Sequence, residues 1–415
     1  MTLLSEIASI QTGPFGSQLH KRDYVANGRP IVTVEHLGER AFTRQNLPLV
    51  SDFDADRLKK YQMKCGDIIF SRVGSIDRCS FAEQGNEGWL FSGRCLRIRP
   101  EKTISPEFLY YYLSSKAIKN FVRNIAVGAT MPSINTSLMG EIPVPDIPLN
   151  KQRSIACIMS SLDHKIQANT KINGYLAVQC EAIAERATGE NTVLESLCDL
   201  VTEKADCSEA DFDTYVSTES LLPNKMGRQI ASSLPQTGKV TVYQAGDILI
   251  SNIRPYFKKI WYADQAGTCS GDVLVFRAKQ PEWAGYLYSC LRNDSFFDFV
   301  MKGAKGTKMP RGDKKQMLTY EVSASPNQLV IGFMASALKH ISTANKESEH
   351  LAALRDALLP KLMSGEVDVS KVNLTQLNSH LAADLSNWHW YRVVNRHIRQ
   401  VETETWFCAP RLFCH

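Results

Sequence analysis

The feature that most constrains this sequence is that it repeats itself. The segment CGDIIFSRVG at residues 65–74 recurs as AGDILISNIR at residues 245–254. The alignment continues downstream, because LRIR at residues 96–99 aligns with LVFR at residues 274–277. A period of about 180 residues is far too long for a solenoid unit. Each copy is therefore predicted to be a whole domain followed by a connecting segment.

Composition limits the class of protein to an ordinary globular one. The chain has 415 residues, 44% of them hydrophobic and 22% charged, which suits two or three domains with proper cores. The 11 cysteines are odd in number and lack zinc-site spacing, so we expect free thiols and no metal. Neither a membrane-spanning apolar stretch nor a signal peptide is recognisable, and a cytoplasmic location is expected.

The first part of each copy predicts a mixed globule. Short β-branched runs, such as residues 30–34 and 67–71, are bounded by Gly, Pro and Asn, as strands usually are. The aromatic-rich segments 106–124 and 281–302 have apolar residues at helical spacing. The predicted fold class is α/β (α+β), with two similar mixed α/β domains separated by two long helices.

A heptad pattern follows each globule. Between residues 150 and 187 apolar residues recur at alternating steps of four and three, and the second copy repeats the pattern less regularly. A helix of this length is about 55 to 60 Å long and cannot be buried within one globule, so the two helices should pair as an antiparallel coiled coil. The predicted seam residues are Leu162, Ile166, Asn169, Leu338, Ile341 and Asn345.

The two seam asparagines, Asn169 and Asn345, occupy equivalent positions in the two helices. A polar residue in a seam can set the register of the pair at some cost in stability, although a merely solvated defect would read the same way. The predicted segments are 1–148 and 191–326 for the globules, 149–190 and 327–368 for the helices, and 369–415 for a C-terminal extension. The repeat ends near Asn373, and the sequence predicts no role for the extension.

Two copies of one globule that are held apart by helical spacers suit the binding of a target with two separate parts. The placement of the charged residues indicates that this target is DNA. The net charge of +5 decides little, but the stretch at residues 302–315 holds six Lys or Arg against the single acid Asp313. Its glycines let the backbone approach phosphates, which Lys and Arg neutralise. The equivalent stretch at residues 123–135 is less basic, so the two copies should read different sequences. A solvated basic loop is the alternative.

The predicted DNA-contacting residues lie in polar, turn-rich loops of both copies. Arg and Asn make paired contacts to guanine and adenine edges, whereas Lys, Ser and Thr contact phosphates. In the first copy they are Ser17, Gln18, Lys21, Arg22, Arg72, Arg78, Thr130 and Asn135. In the second copy they are Asn224, Lys225, Arg228, Asn252, Arg254, Tyr256, Lys258, Lys259, Lys302, Lys305, Lys308 and Arg311.

No catalytic site is predicted. The Asn/Asp-Pro-Pro-aromatic clamp and the glycine-rich cofactor loop of an adenine methyltransferase are both missing. Asp146 and Asp163–Lys165 match a nuclease spacing, but Asp163 falls on the predicted helix, where the groups should not converge. The glycines of residues 303–308 break the spacing of an ATP-binding loop.

Taken in order, these motifs carry a family resemblance. GPFGSQL, GDIIFSRVG, GATMPSIN and IPVPDIPLNKQ, followed by YVSTESLLPNKMG and GDILISNIRPYFKK, resemble the specificity subunit of type I restriction-modification systems over roughly residues 1–370. The resemblance implies two target-recognition domains, each reading half of a split DNA sequence. It also implies two methyltransferase subunits and motor-nuclease subunits as partners. S-adenosylmethionine, ATP and Mg²⁺ are expected on those partners, with no cofactor on this chain.

The resulting interpretation is a non-catalytic, sequence-specific DNA-binding subunit that reads a bipartite target and positions methyltransferase and restriction subunits. Its paired helices are expected to set the spacing between the half-sites. The alternative is a helical adaptor or scaffold protein that does not read DNA and whose basic loops serve only solubility. Salt-sensitive DNA binding would separate the two, because phosphate contacts release counterions.

Overall fold

A computed structural model of the chain describes residues 1–14, 16–128, 130–187, 190–324 and 327–369. Its contacts divide the chain into two compact units. The first unit contains Met1–Ile166 and the chain from Glu349 onward, and the second contains Gln167–Ser348. Each unit therefore holds one copy of the repeat and a part of each long helix. The predicted C-terminal extension lies outside the described residues except for Val369.

The first unit begins with the elements of the first copy. Its strands are β1 (Thr2–Leu3), β2 (Ala8–Thr12), β3 (Tyr24–Val25), β4 (Arg29–Val32), β5 (Leu49–Val50), β6 (Ile68–Ser71), β7 (Cys79–Phe81), β8 (Leu90–Phe91), β9 (Cys95–Pro100) and β10 (Pro143–Val144). Its helices are α1 (Leu4–Ile7), α2 (Asp52–Arg57), α3 (Pro106–Ser114), α4 (Lys116–Ile125), α5 (Thr136–Gly140) and the beginning of α6 (Leu149–Glu185).

The centre of this unit is an antiparallel sheet in the order β2-β9-β6-β7. Strand β6 is buried along its whole length because it has a core on both faces. Ile68 and Phe70 pack with Phe108 of α3 on one face, and Ile69 packs with Phe91 on the other. A β-strand that is buried on both faces needs a continuous apolar run, and IIF supplies it.

The second unit repeats this plan. Its strands are β11 (Asn191–Val193), β12 (Cys198–Leu200), β13 (Lys204–Asp206), β14 (Lys239–Tyr243), β15 (Ile248–Ser251), β16 (Ile260–Tyr262), β17 (Gly267–Cys269), β18 (Val273–Ala278) and β19 (Glu321–Ser323). Its helices are α7 (Leu194–Leu197), α8 (Ala284–Arg292), α9 (Asp294–Gly303), α10 (Lys314–Leu318) and most of α11 (Gln328–Ser364). The sheet β12-β18-β15-β16 corresponds to the central sheet of the first unit.

Burial in the second sheet follows the same logic. Ile248 and Ile250 of β15 pack with Phe296 of α9, whereas Leu249 faces a separate core with Tyr243. The predicted fold class is confirmed, since the chain combines two mixed helix and strand globules with long helices. None of the helices in the described ranges is both long enough and apolar enough to cross a membrane.

The long helices α6 and α11 pack on each other inside each unit. In the first unit Leu162 shares a core with Leu359, and Asp163 forms a 2.8 Å ion pair with Arg355. In the second unit Leu176 shares a core with Met334. Of the predicted seam residues, Leu162, Asn169 and Leu338 are buried, Ile166 and Ile341 are half-buried, and Asn345 is exposed.

Asn169 is the polar centre of the helix contact in the second unit. Its Nδ2 donates to the carbonyl oxygen of Ala344 at 3.3 Å, to Glu347 at 2.7 Å and to Ser348 at 3.2 Å. Asn345 lies at the solvent edge, where it accepts a 2.8 Å hydrogen bond from Asn173. Asn169 contacts Glu347 and Ser348, whereas Asn173, which comes later in α6, contacts the earlier residue Asn345 of α11. The helix segments in this unit therefore run antiparallel.

Candidate nucleic-acid interface

A buried aspartate holds the central strand of each copy in place. Asp67 and Asp247 are each 1% exposed and lie just before β6 and β15. Arg99 donates to both oxygens of Asp67 at 2.7 and 2.6 Å, and Arg277 donates to both oxygens of Asp247 at 2.8 and 2.7 Å. Such paired bonds fix orientation as well as distance. The pKa of the Arg277 guanidinium is raised, chiefly by its hydrogen bond to Asp247.

The same aspartates close the turn that leads into each strand. Asp67 accepts a 2.7 Å hydrogen bond from the backbone N–H of Lys64, and Asp247 accepts one of 2.8 Å from that of Gln244. The turn contains a glycine at positive φ in both copies, with φ of +91° at Gly66 and +93° at Gly246. A side chain is disfavoured in this conformation, which explains the repeated GD pair.

Each copy also contains a short hairpin that packs against the loop leaving the central strand. We call residues 127–133, of which the structure describes all but residue 129, the first hairpin and residues 305–311 the second hairpin. Reciprocal backbone hydrogen bonds of 2.9 and 2.8 Å join Val127 and Ser133. The corresponding bonds between Lys305 and Arg311 are both 2.9 Å. Both hairpins are therefore held by their backbones, whatever side chains they carry.

The strand-exit loops and the hairpins are joined in the same way in the two units. The N–H of Gly74 donates to the carbonyl of Pro132 at 2.9 Å. The N–H of Arg254 donates to the carbonyl of Pro310 at 2.8 Å. Two loops that the sequence predicted to face DNA thus lie side by side in each unit.

In the second unit a third predicted loop joins this surface. The N–H of Asn224 donates to Phe257, and that of Lys225 donates to Lys258, both at 2.8 Å. Asn224, Lys225, Arg254 and Lys258 all have φ between +50° and +61°. This left-handed backbone conformation costs roughly 1 to 3 kcal/mol for each non-glycine residue, and it persists only where surrounding contacts hold it. Strain is therefore concentrated in the predicted reading loops of this unit.

The corresponding loop of the first unit has different neighbours. Gln18 accepts a 2.9 Å hydrogen bond from Arg57 at its backbone carbonyl and one of 2.8 Å from the Tyr61 hydroxyl at its side chain. Ser17 and Arg22 are exposed. The side chain of Lys21 lies outside the described part of the structure.

Some predicted phosphate contacts are already paired with acids. Lys225 lies 3.1 Å from Glu181 and 2.8 Å from Asp294, and Lys258 lies 2.9 Å from Asp294. Hydrogen bonds from the two lysines lower the pKa of Asp294. Lys259 donates to the carbonyl of Thr218, and burial lowers the pKa of its amine. These three lysines order the loops of the protein, and their contact with DNA stays a prediction.

Several predicted base readers also have structural roles. Asn252 is only 8% exposed, which argues against direct contact with a base edge. Asn135 caps α5 through a 2.8 Å bond from the N–H of Leu138. Arg228 donates to the backbone carbonyl of Asp213 at 2.9 Å and lies over the ring of Trp261. In the first unit, Arg72 donates to the carbonyl of Gly93 at 3.0 Å and Arg78 donates to that of Leu37.

The exposed members of the predicted set define the candidate interface. They are Ser17, Arg22, Thr130 and Asn135 in the first unit, and Asn224, Tyr256, Lys302, Lys305, Lys308 and Arg311 in the second. Two of the basic residues have weak surface partners, because Lys305 lies 2.9 Å from Asp313 and Arg311 lies 3.0 Å from Asp272. Exposed pairs of this kind contribute little and are readily exchanged for a phosphate.

The carboxylates of the nuclease-like spacing have separate partners. Asp146 accepts a 2.8 Å hydrogen bond from the N-terminal amine. Asp163 accepts a 2.7 Å hydrogen bond from Tyr111 and is paired with Arg355. Within the described ranges, no group of three or more His, Cys, Asp or Glu residues could hold a metal ion.

Parts of the chain are similar in sequence to known proteins. Residues 3–176, which contain the first copy, match the family described as "Type I restriction modification DNA specificity domain". The "Putative type I restriction enzyme MjaX specificity subunit" of Methanocaldococcus jannaschii is 32% identical over 144 residues, which cover 34% of each chain. The "Type I restriction enzyme MjaVIII specificity subunit" of the same organism is 25% identical over 176 residues, 40% of each chain.

The matched segments therefore span only about a third to two fifths of the curated relatives. A crystal structure of the S subunit of a type I restriction-modification system from M. genitalium covers 87% of this chain and 94% of its own, with a TM-score of 0.50 and 15% identity. That likeness shows a shared fold. Residues 3–176 are thus similar to the type I DNA specificity domain, and the chain shares its fold with the M. genitalium S subunit, so the predicted resemblance is confirmed.

Proposed function

We propose that this chain is the non-catalytic specificity subunit of a type I restriction-modification complex and that it reads a bipartite DNA target. The observation that carries the proposal is that both units contain the same arrangement of exit loop and hairpin. In each unit the loop that leaves the buried central strand lies beside a closed hairpin on one surface, and the two surfaces carry different side chains. Such a pair suits two different half-sites.

The charges of the hairpins support DNA as the ligand. The second hairpin exposes Lys305, Lys308 and Arg311, each of which can neutralise a backbone phosphate. The first hairpin offers Thr130 instead, a neutral hydrogen-bonding residue that suits phosphate or sugar oxygens. Binding by the second unit should therefore depend more strongly on salt than binding by the first.

The chemistry of modification and cleavage would belong to partner subunits. Two methyltransferase subunits would supply S-adenosylmethionine, and motor-nuclease subunits would supply the ATP and Mg²⁺ chemistry. This chain would recognise the DNA sequence and would provide the surface to which the partner subunits bind, in the cytoplasm. Ile172, Tyr175 and Val178 are exposed on α6 at steps of three residues, a spacing that suits contact with another protein.

That apolar stripe also favours the second candidate, a helical adaptor that does not read DNA. Single-molecule mapping of methylated adenines decides between the two. We expect a split, asymmetric motif in cells that carry this protein with its neighbouring methyltransferase, and we expect the motif to vanish when only this chain is deleted. An unchanged methylation map would favour the adaptor.

Salt titration of the complex, isolated through an affinity tag on this chain, gives a second discrimination. For a DNA-reading subunit, the logarithm of the affinity for target duplex should fall linearly with the logarithm of the salt concentration, because counterions are released at each phosphate contact. An adaptor should retain its protein partners yet show no sequence-dependent binding. The same preparation tests the partner assignment, because methyltransferase subunits should co-purify.

A further inference from the structure

Two methionines face solvent at equivalent positions of the two hairpins. Met131 is 55% exposed and Met309 is 47% exposed. Neither belongs to the hydrophobic clusters found among the described residues. Each is followed by a proline, Pro132 or Pro310.

The backbone of each tip is tightly constrained. Gly128 and Gly306 have φ of +110° and +97°. A Cβ atom at the first would lie 2.7 Å from the Met131 carbonyl oxygen, and one at the second would lie 3.2 Å from that of Met309. The proline that follows restricts each methionine to extended backbone conformations. The backbone from which each methionine side chain extends is therefore restricted by these neighbours and not by packing in a core.

The two methionines differ from other exposed apolar side chains because they recur at equivalent positions of the surface that we propose to face DNA. Lys308 precedes Met309 and is exposed, as are Lys305 and Arg311 at the base of the hairpin. These cations draw the hairpin to a phosphate backbone. A two-stranded ribbon fits the major groove of B-DNA, where the thymine C5-methyl is the apolar group on the base edges.

We propose that Met131 and Met309 are specificity-determining residues, each contacting the methyl group of a thymine in its own half-site. The inference rests on the proposed DNA-reading function and adds a named base feature to it. Because both hairpins present the same apolar tip, each half-site contains an A·T pair at the hairpin position. The bases around it differ because the neighbouring side chains differ.

The first test selects binding sites from a random duplex library with the tag-isolated complex. Met131→Ala relaxes the preference for A·T at one position of one half-site, and Met309→Ala does so in the other half-site. Loss of one buried methyl contact corresponds to about a fourfold loss in affinity for the target. Met131→Leu and Met309→Leu keep an apolar tip and retain the preference. Phe53→Ala, which removes a 78% exposed side chain from α2, is the matched control and changes nothing.

The second test replaces single thymidines of the selected target with deoxyuridine, which lacks only the methyl group. Wild-type affinity falls about fourfold at one position in each half-site, and the corresponding Met→Ala variant shows no further loss there. Unchanged half-site preferences in both alanine variants, with a split motif intact in the wild type, overturn this inference alone. Failure of the wild-type complex to select any split motif overturns the proposed function together with it.

Discussion

The two copies of the repeat agree in their interior and differ at their hairpins. Asp67 with Arg99 and Asp247 with Arg277 have the same geometry to within about 0.1 Å. The hairpin positions 127, 130 and 133 carry Val, Thr and Ser, whereas positions 305, 308 and 311 carry Lys, Lys and Arg. A buried charge must keep its partner, while an exposed side chain is free to change. The scaffold is therefore retained and the reading surface is not.

One interior position breaks the agreement. Arg97 in β9 is buried and donates to the carbonyls of Lys60 and Gln62 at 3.0 and 3.2 Å, and it also lies 4.0 Å from Asp67. Burial lowers the pKa of its guanidinium. The equivalent residue of the second copy, Val275, lies in an apolar core. The first unit thus places a second cation beside its aspartate, and the second unit does not.

The largest expected effect comes from removing these aspartates. Asp247→Ala should lower the free energy of unfolding of the second unit by about 3 kcal/mol, because it leaves a partly buried arginine without its acid. Asp67→Ala should cost roughly 1 kcal/mol more, since two arginines lose the same partner. Urea denaturation followed by hydrogen exchange resolved to each unit measures both losses.

The control for this pair is Asp199→Ala, which removes an exposed acid of the second unit and should change stability by less than about 0.5 kcal/mol. A larger loss for Asp247→Ala than for Asp67→Ala would contradict the role assigned to Arg97.

Exchanging the hairpin side chains comes next in size. The triple variant Lys305→Val, Lys308→Thr and Arg311→Ser gives the second hairpin the residues that the first carries at these three positions. Its target affinity at moderate salt should fall on the order of tenfold, and the slope of log affinity against log salt should shrink by about 0.9 for each lost phosphate contact. Filter binding at several salt concentrations measures both values. Lys339→Ala on α11 is the single-charge control, and a change there of about a third of that size would show that only net charge matters.

The two seam asparagines extend the comparison to the helices. Asn169→Ala should lower the stability of the second unit by about 1 to 2 kcal/mol, because the buried acceptors of α11 lose their donor. Asn345→Ala should change it by less than about 0.5 kcal/mol, since that residue is exposed. Chemical denaturation of the full chain measures the pair, and equal effects would mean that burial does not separate them.

The smallest expected effect is a pH dependence of the loop contacts that Asp294 makes in the second unit. Helix α9 begins with Asp294, whereas α4 begins with Lys116. Since hydrogen bonds from Lys225 and Lys258 depress the folded pKa of Asp294, its contribution is full above the unfolded value of 3.8 and is lost as pH falls through the folded pKa. Exchange of the Asn224 and Lys225 amides should quicken in that acidic range.

Asp294→Asn should produce the same faster exchange at neutral pH. Asp298→Asn, which changes an exposed acid on the same helix, should leave the amide exchange and its pH profile unaltered. An unchanged pH response of the Asn224 and Lys225 amides in Asp294→Asn would show that Asp294 is not its source.

The sequence determined the repeat, the mixed globules and the long helices, because each of these leaves a local pattern. The run at residues 67–71 predicted a strand, and the heptad at residues 150–187 predicted a helix that needs a partner. The Met-Pro and Gly-Asp pairs could be seen in the sequence, but their structural meaning could not.

Only the tertiary structure decided which polar residues remain available to a ligand. Lys225 and Lys258 had the composition of phosphate contacts, yet both meet Asp294, which lies well over thirty positions away along the chain. Asn169 and Asn345 were equivalent in sequence, and packing buried one of them and exposed the other. Periodicity records which face of an element is apolar, whereas the partner of a charged side chain depends on contacts between residues far apart in the chain.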